Sequence, residues 1–588
     1  MTASIDPITA AVIQGALENI AIEMGHKLMR MSYSSIIRES EDFGTALTDY
    51  DGNQLCECKM STPLQSGPIP GYIRGIKRAL AARSQDIRPG DVIMHNDPYG
   101  GASHGPDVAF IVPIFIEEKL VAFSVTTAHH LDIGAATPGS AGIVDAVDAY
   151  AEGLQFKAIK VVEEGRPNAQ VWQILRDNIR APQLVVGDME AQIKAAEIGA
   201  ARFLELADRY GIETIRAAAA DLMDYSERLM RDAIRALPDG SYAAEGIFDG
   251  FSDDPNPMRR DLPIKVTVTV AGDDITVDLT GTAPQVPDRP INMPFEGTVD
   301  CAIWLTLRSI LLDSVEYGEV PQNAGLTRPI KIIAPKGCLA NPIFPAPTIA
   351  RFTPGNLMAD TLMRALSQIV PEKVSAGVGN LRVVSFSGLR EGQHWVHMEI
   401  LEGSYGGRFG MNGMDAVDTL YANTRNNPIE DMETHLPLRV EQYELRGDTP
   451  AAGQWRGGIG SIREFTLLSD GAFSTEGDGH GQRPWPLGPG EAGLPGALAL
   501  INADGTREAL PSKVPYHQVH AGDRIVALGP NGGGYGDPLA RDPAAVLDDV
   551  LDGLMDGETA LTTYGVVIRE NEIDAAATSE RRAKAGGS

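Results

Sequence analysis

The stretch from Asn96 to Asp132, NDPYGGASHGPDVAFIVPIFIEEKLVAFSVTTAHHLD, constrains this chain more than any other. Two apolar, β-rich runs, DVAFIVPIFI and KLVAFSVTTAHH, flank Glu117-Glu118 and read as a hairpin. Gly105-Pro106 precedes the first run and rules out a helix there, so His104 and Asp107 sit on a loop leading into a strand. The second run ends in His129-His130. Neighbouring strand residues face opposite ways, so only one of these two imidazoles can share a site with His104. His129 lies on the face of Val121, Phe123 and Val125, the more apolar and inward one, and is the expected partner. His130 is the alternative. Two imidazoles and a carboxylate converging from neighbouring strands suit a divalent metal, zinc or manganese, with coordination positions left open. Asp132 is then a candidate to orient an imidazole, and His130 a candidate proton-transfer group.

Composition narrows the function classes. The chain has 588 residues, 43% hydrophobic and 22% charged, as in an ordinary soluble globular protein, and a length of roughly two to four domains. A net charge of −29 would repel nucleic acid, and no basic stripe interleaved with aromatics occurs. No apolar run is long enough for a membrane span, and Glu18 and Glu23 interrupt the first apolar pattern, unlike a signal peptide. The four cysteines, Cys56, Cys58, Cys301 and Cys338, form no disulfide framework and read as reduced thiols. A cytoplasmic location is expected.

The expected fold class is α+β, as several regions of one chain. Asp6-Pro7 caps a long amphipathic helix to about Met31, with Ile8, Val12, Leu17, Ile20, Met24 and Leu28 along its apolar stripe. A strand, an Asp-Gly turn and a second strand follow. Two Ala-rich helices, 188–210 and 214–237, are separated by Gly211 and complete an N-terminal metal-site region, 1–237. KVTVTVAGDDITVDLTG is a hairpin in a middle α+β region, 238–373, which also holds a helix near 299–312 and one that starts after Asn356. A Gly-rich, mainly β region spans 374–570, and 571–588 reads as a flexible tail.

The loops offer further candidates. Asn531-Gly532-Gly533-Gly534-Tyr535-Gly536-Asp537 suits a nest of backbone N–H groups for an anion, with a tight backbone crossing as the commoner use of such glycines. Arg425 stands among amide side chains in NTRNNP, and Arg38 in a charged cluster with Glu39, Glu41 and Asp42. Arg38, Asn96, Arg425, Gly533 and Gly534 are therefore the candidate substrate- or phosphate-binding groups. There is no G-x-x-x-x-G-K-[ST], so ATP is not expected to bind this chain alone. No serine has an evident His–Asp partner, and a serine hydrolase is not expected. His394, His397 and Glu399 read as solvent-facing strand residues.

Four motifs, RMSYSSIIRESEDFGTALTDYDG, NDPYGGASHGPD, TTAHHLDIG and NGGGYGDPLARDP, resemble in order the hydantoinase B/oxoprolinase family. The resemblance runs from about Asp6 to Val567. It implies a subunit that works with a larger, hydantoinase A-like ATP-binding subunit, two copies of each. In such systems the partner phosphorylates a cyclic amide and the metal subunit completes its hydrolysis. Related subunits carboxylate ketones such as acetone or acetophenone, and a non-catalytic metal-binding scaffold is a third possibility. The resemblance also carries a further metal ligand onto Asp42.

Overall fold

The computed structural model describes residues 5–139 and 141–585. Helix α1, Pro7–Met31, begins as its cap dictates: the Asp6 carboxylate accepts from the Thr9 N–H, and Pro7 occupies the first turn where no N–H is needed. Its buried stripe is Ile13, Leu17, Ile20, Met24 and Leu28, whereas Ile8 and Val12 are exposed, because the helix docks along one narrow seam only.

The N-terminal sheet has seven strands in the order β2-β1-β5-β4-β3-β6-β7. These are β1 Phe43–Asp49, β2 Gln54–Glu57, β3 Val92–His95, β4 Asp107–Ile116, β5 Lys119–His129, β6 Ile159–Glu163 and β7 Arg166–Pro167. The β4–β5 turn is Glu117-Glu118, both at positive φ, the backbone that a two-residue hairpin loop demands. Helix α2, Ile69–Ala82, packs with Tyr72, Ile73 and Ile76 on one face of this sheet, against Ile111, Phe123 and Val125. On the other face lie α1 and the long helix Pro182–Tyr210. Gly75 of α2 abuts the Gly100 carbonyl so closely that a Cβ would overlap it. The helix therefore pins the Gly100-Gly101 turn, where Gly101 has φ +103.

Helix α3, Ala169–Asn178, precedes α4, Pro182–Tyr210, and α5, Ile212–Arg235, joined at Gly211 as its left-handed φ allows. The middle region is a four-stranded sheet, β11-β10-β9-β8, built from β8 Gly240–Asp249, β9 Asp261–Ala271, β10 Asp274–Asp278 and β11 Ile330–Ile333. It is accompanied by α6, Asp300–Leu311, and α7, Phe352–Leu366. Helix α7 starts before Pro354, not after Asn356 as expected. In the first turn of a helix the missing proline N–H costs nothing.

The C-terminal region is a β-sandwich. One sheet, β13-β12-β16-β19, contains β12 Arg382–Arg390, β13 Gln393–Leu401, β16 Gly471–Glu476 and β19 Val514–Val519. The other, β14-β15-β20-β17-β18, contains β14 Leu438–Leu445, β15 Ser461–Leu467, β17 Ala497–Ile501, β18 Arg507–Leu510 and β20 Arg524–Leu528. Phe386, Phe465, Phe473, Leu498 and Ile525 meet between them. The expected flexible tail instead contains helix α8, Ala575–Ala585, held by Arg582, which donates to the Tyr564 and Arg541 carbonyls. Residues 586–588 of that tail lie outside the described residues. One hydrophobic core runs from Leu28 through the middle sheet to Tyr421, so the N-terminal and middle regions meet the sandwich through shared packing.

Candidate metal centre

Strand register builds the site. Asp107 pairs directly with His129 across β4 and β5, and the His129 N–H donates to the Asp42 carbonyl just ahead of β1. Asp42, His129 and Asp107 thus form a row across three adjacent strands at one end of the sheet, on the face covered by α2. The Gly101–Pro106 turn folds His104 back over this row. His129 Nδ1 lies 2.9 Å and His104 Nε2 3.1 Å from the same Asp107 oxygen, and the two nitrogens are 3.2 Å apart. All three residues are buried.

Those spacings fit a metal. Bonds of ~2.0–2.1 Å in a tetrahedral set place neighbouring ligand atoms ~3.3 Å apart. The protonation pattern agrees: His104 Nδ1 is 2.8 Å from the Ile349 carbonyl and donates to it, which leaves a lone pair on Nε2. Burial and the Arg351 charge push this imidazole down to about 4, so it is neutral at pH 7. A lone pair facing a carboxylate oxygen at 3.1 Å is favourable only with a cation or proton between them. Among the described residues, His104, Asp107 and His129 form the group whose ligand atoms converge for a metal.

Further residues fix the carboxylate. Arg351 donates to Asp107 Oδ2 at 2.9 Å, Gln65 to Oδ1 at 2.7 Å, and the Ser103 hydroxyl also donates to Oδ2. Burial alone would raise the Asp107 carboxyl, but His104, His129 and Arg351 hold it well below the usual range. Asp42 Oδ2 stands 3.9 Å from His129 Nδ1, and Thr62 donates to its other oxygen. Burial and the neighbouring Asp107 push the Asp42 carboxyl up. The triad opens on a chamber of about 20 Å³ of free space, room for about one water. Leu64, Ala141, Phe352, Val383, Met398 and Ile400 give it apolar walls, and Arg351, Thr424 and Glu476 add polar groups.

The model of the family described as hydantoinase B/oxoprolinase matches residues 6–538. The chain belongs to that family. It is 64% identical to a Pseudomonas sp. (strain NS671) protein named as one subunit of a "Putative D-/L-hydantoinase", over 98% of each chain. It is 32% identical to the beta chain of the caprolactamase of Pseudomonas jessenii, over 99% of each. The crystal structure of ATP-dependent caprolactamase from Pseudomonas jessenii superposes with a TM-score of 0.86, covering 99% of this chain and 100% of that one. Acetone carboxylase in its nucleotide-free structure reaches the same TM-score at 18% identity, over 99% of this chain and 83% of that one, a likeness of fold.

Other candidates of this hydantoinase B/oxoprolinase chain are placed differently from expectation. His130 faces α4, its Nε2 2.9 Å from the Gln192 side-chain carbonyl, because strand alternation turns it away from His129. It does not line the chamber, and a proton-transfer role there is not supported. Asp132 orients neither imidazole: its carboxylate accepts from Arg180 at 3.0 Å and from the Gly134 and Arg180 N–H groups. The Asn96 side chain satisfies the Gly105 and Leu154 carbonyls and the Phe156 N–H, as buried loop backbone requires, and is unavailable to substrate. The N–H groups of Gly533 and Gly534 donate to the Gly377 and Glu491 carbonyls, so the glycine tract is a backbone crossing, not a nest. Arg38 pairs with Glu39 and Asp431, and the exposed Arg425 with Glu41 at 3.0 Å. Both lie where the loop before Asp42 meets residues 425–431, with Ser40 donating to Asn427.

His397 and Glu399 are not solvent-facing. They are buried 2.6 Å apart, and Glu399 also binds Arg463 and Asn427. They share one face of β13, and their spacing of two in the sequence was the signal that could have paired them. Gly101-Ala102-Ser103-His104-Gly105 has the spacing of a nucleophile elbow, but Ser103 lies between two strands and its hydroxyl donates to Asp107, which leaves it no such role. Gln65, Arg351 and Glu476 went unread because each is isolated in sequence and surrounded by ordinary residues.

Burial also sets a pH dependence. It pushes the carboxyls of Glu152 up to about 8 and of Asp300 and Asp360 up to about 7. In the unfolded chain these ionise near 4. Between pH 6.5 and 8 the folded chain therefore holds protons that the unfolded chain lacks, and stability is lost as pH rises. The buried His95, His104 and His130, pushed down to about 4, act in the opposite sense but only below about 6.5. The denaturation midpoint is expected to fall from pH 6.5 to 8; a flat or rising profile would contradict this.

Proposed function

We propose that this chain is the metal-bearing subunit of an ATP-dependent cyclic-amide hydrolase, acting on hydantoin-, lactam- or 5-oxoproline-type rings. The observation that carries the reading is the buried His104–Asp107–His129 group facing a small dry-walled chamber, in a chain so similar to the hydantoinase and caprolactamase subunits. A larger ATP-binding partner subunit, in a complex with two copies of each chain, phosphorylates the amide oxygen. The ring then carries a C=N bond and a phosphate ester, a better electrophile than the amide.

Zinc or manganese, when bound, polarises substrate oxygen and lowers the pKa of water. His104, Asp107 and His129 hold it, and Asp42, one step out in the same row, is a further ligand. Ile349 fixes the tautomer of His104, and Arg351 and Gln65 fix the rotamer of Asp107. The apolar walls exclude bulk water and leave room for one positioned water, which the activated ring meets at the mouth of the chamber and not inside it. Arg38 and Arg425 brace the loop that carries Asp42.

The test uses this chain co-expressed with its ATP-binding partner, with ADP and product followed for hydantoin, a lactam and acetophenone, each with and without bicarbonate. Ring-dependent ADP release indifferent to bicarbonate supports the hydrolase. Ketone turnover that requires bicarbonate would replace it with a carboxylase. Loss of complex stability but full turnover per intact complex in a ligand variant would reduce the chain to a scaffold.

A further inference from the structure

Glu476, the last residue of β16, is fully buried, and among the described residues neither of its oxygens has a hydrogen-bond partner. The acids around it are not left so. Asp107 is held by Arg351 and Gln65, Asp42 by Thr62, and Asp478 by the Asp249 N–H and Asn380. A buried carboxyl without partners is costly, and such a group in a cavity marks a functional position. Glu476 lines the same chamber as His104, His129, Asp42 and Arg351. Its oxygens stand outside the converging ligand atoms of His104, Asp107 and His129.

We propose that Glu476 is the catalytic proton acceptor of the chamber, holding the attacking water against the activated ring. This rests on the hydrolase reading. The water oxygen bonds to the ring carbon that bears the phosphate ester, and its proton passes to the Glu476 carboxylate. The C=N electron pair moves onto the ring nitrogen, which takes that proton from Glu476, so the carboxylate is restored. The new hydroxyl then loses its proton to Glu476 as the C=O bond forms and the ring C–N bond breaks. The departing nitrogen takes that proton back, and the acyl phosphate left behind is hydrolysed by a second water to carboxylate and inorganic phosphate. Burial raises this carboxyl to about 8, with the charges of Arg351 and Lys513 opposing the rise, a range in which a proton is accepted and returned near neutral pH. Lys513 is committed to the Asp249 and Gly477 carbonyls and Arg351 to Asp107, so neither occupies Glu476.

The test compares wild type with Glu476→Gln, each as the full chain in complex with its ATP-binding partner. Bound zinc and manganese, thermal midpoint, ADP release and ring-opened product are measured together. The metal content is expected to be unchanged and the midpoint to stay within about 2 °C, since glutamine fills the same space. Ring-dependent ADP release continues while ring-opened product falls by at least ~100-fold, the scale of a lost general base. Loss of metal would make Glu476 a ligand, and a large fall in midpoint would make it structural; either overturns the proposal, as does undiminished product. If the wild type opens no ring, the hydrolase reading falls on that assay alone and the proposal with it. If the wild type opens rings and E476Q matches it, only the proposal falls.

Discussion

His104→Ala is expected to strip the divalent metal and to lower ring-opening by more than the ~10–100-fold seen when a group behind a ligand is lost. His104 contributes one of three converging atoms, and what remains, the His129–Asp107 pair with Asp42 one step out at 3.9 Å from His129, leaves an ion open on the side His104 had closed. The substitution also frees the Ile349 carbonyl, so some stability is lost as well. Metal content by mass spectrometry, beside turnover per mole of intact complex, separates the two effects. His130→Asn is the matched control. It changes the adjacent imidazole, which faces Gln192 and not the chamber, and it is expected to retain metal. The opposite pattern, with metal lost from the His130 variant and kept in His104→Ala, would refute the assignment of the face.

Arg351→Met is expected to destabilise the metal-stripped chain by about 3–5 kcal/mol, the cost of leaving one member of a buried ion pair behind. Arg351 and Asp107 are both buried, 2.9 Å apart. Methionine occupies the space of the arginine stem but returns no charge to the carboxylate. A divalent cation at the triad supplies that charge, so the loss is expected to shrink when zinc or manganese is present. Denaturation midpoints in chelator and in metal give the comparison. Equal losses in both conditions would show that Arg351 braces the fold without reference to the ion.

Local chemistry made much of the chain legible. Asp6-Pro7 set the start of α1, Glu117-Glu118 the turn of the β4–β5 hairpin, Gly211 the break between α4 and α5, and Gly272 the β9–β10 turn. Each depends on residues within a few positions of one another. The pairing of His129 with Asp107 was not fixed by the turn: an unbroken ladder from Glu117-Glu118 would set Asp107 opposite Ala128, and a register shift at Ile114–Phe115 brings it opposite His129.

What alternation could not supply was the identity of the neighbour on the other face: His130 is engaged by Gln192 and Asp132 by Arg180, so neither reaches the place expected of it. Glycine-rich loops were equally ambiguous. Gly533 and Gly534 permit either an anion nest or a crossing, and only the positions of the Gly377 and Glu491 carbonyls decide between them. The sequence by itself determined most of the elements and the hairpin, and it singled out His104, Asp107 and His129 as the candidate ligands. The tertiary structure alone decided what surrounds those ligands. Arg351 arrives from the middle region and Val383, Met398 and Glu476 from the β-sandwich, hundreds of residues from His104. Such contacts are chosen by packing of whole sheets, which leaves no periodicity or spacing in the sequence around each residue.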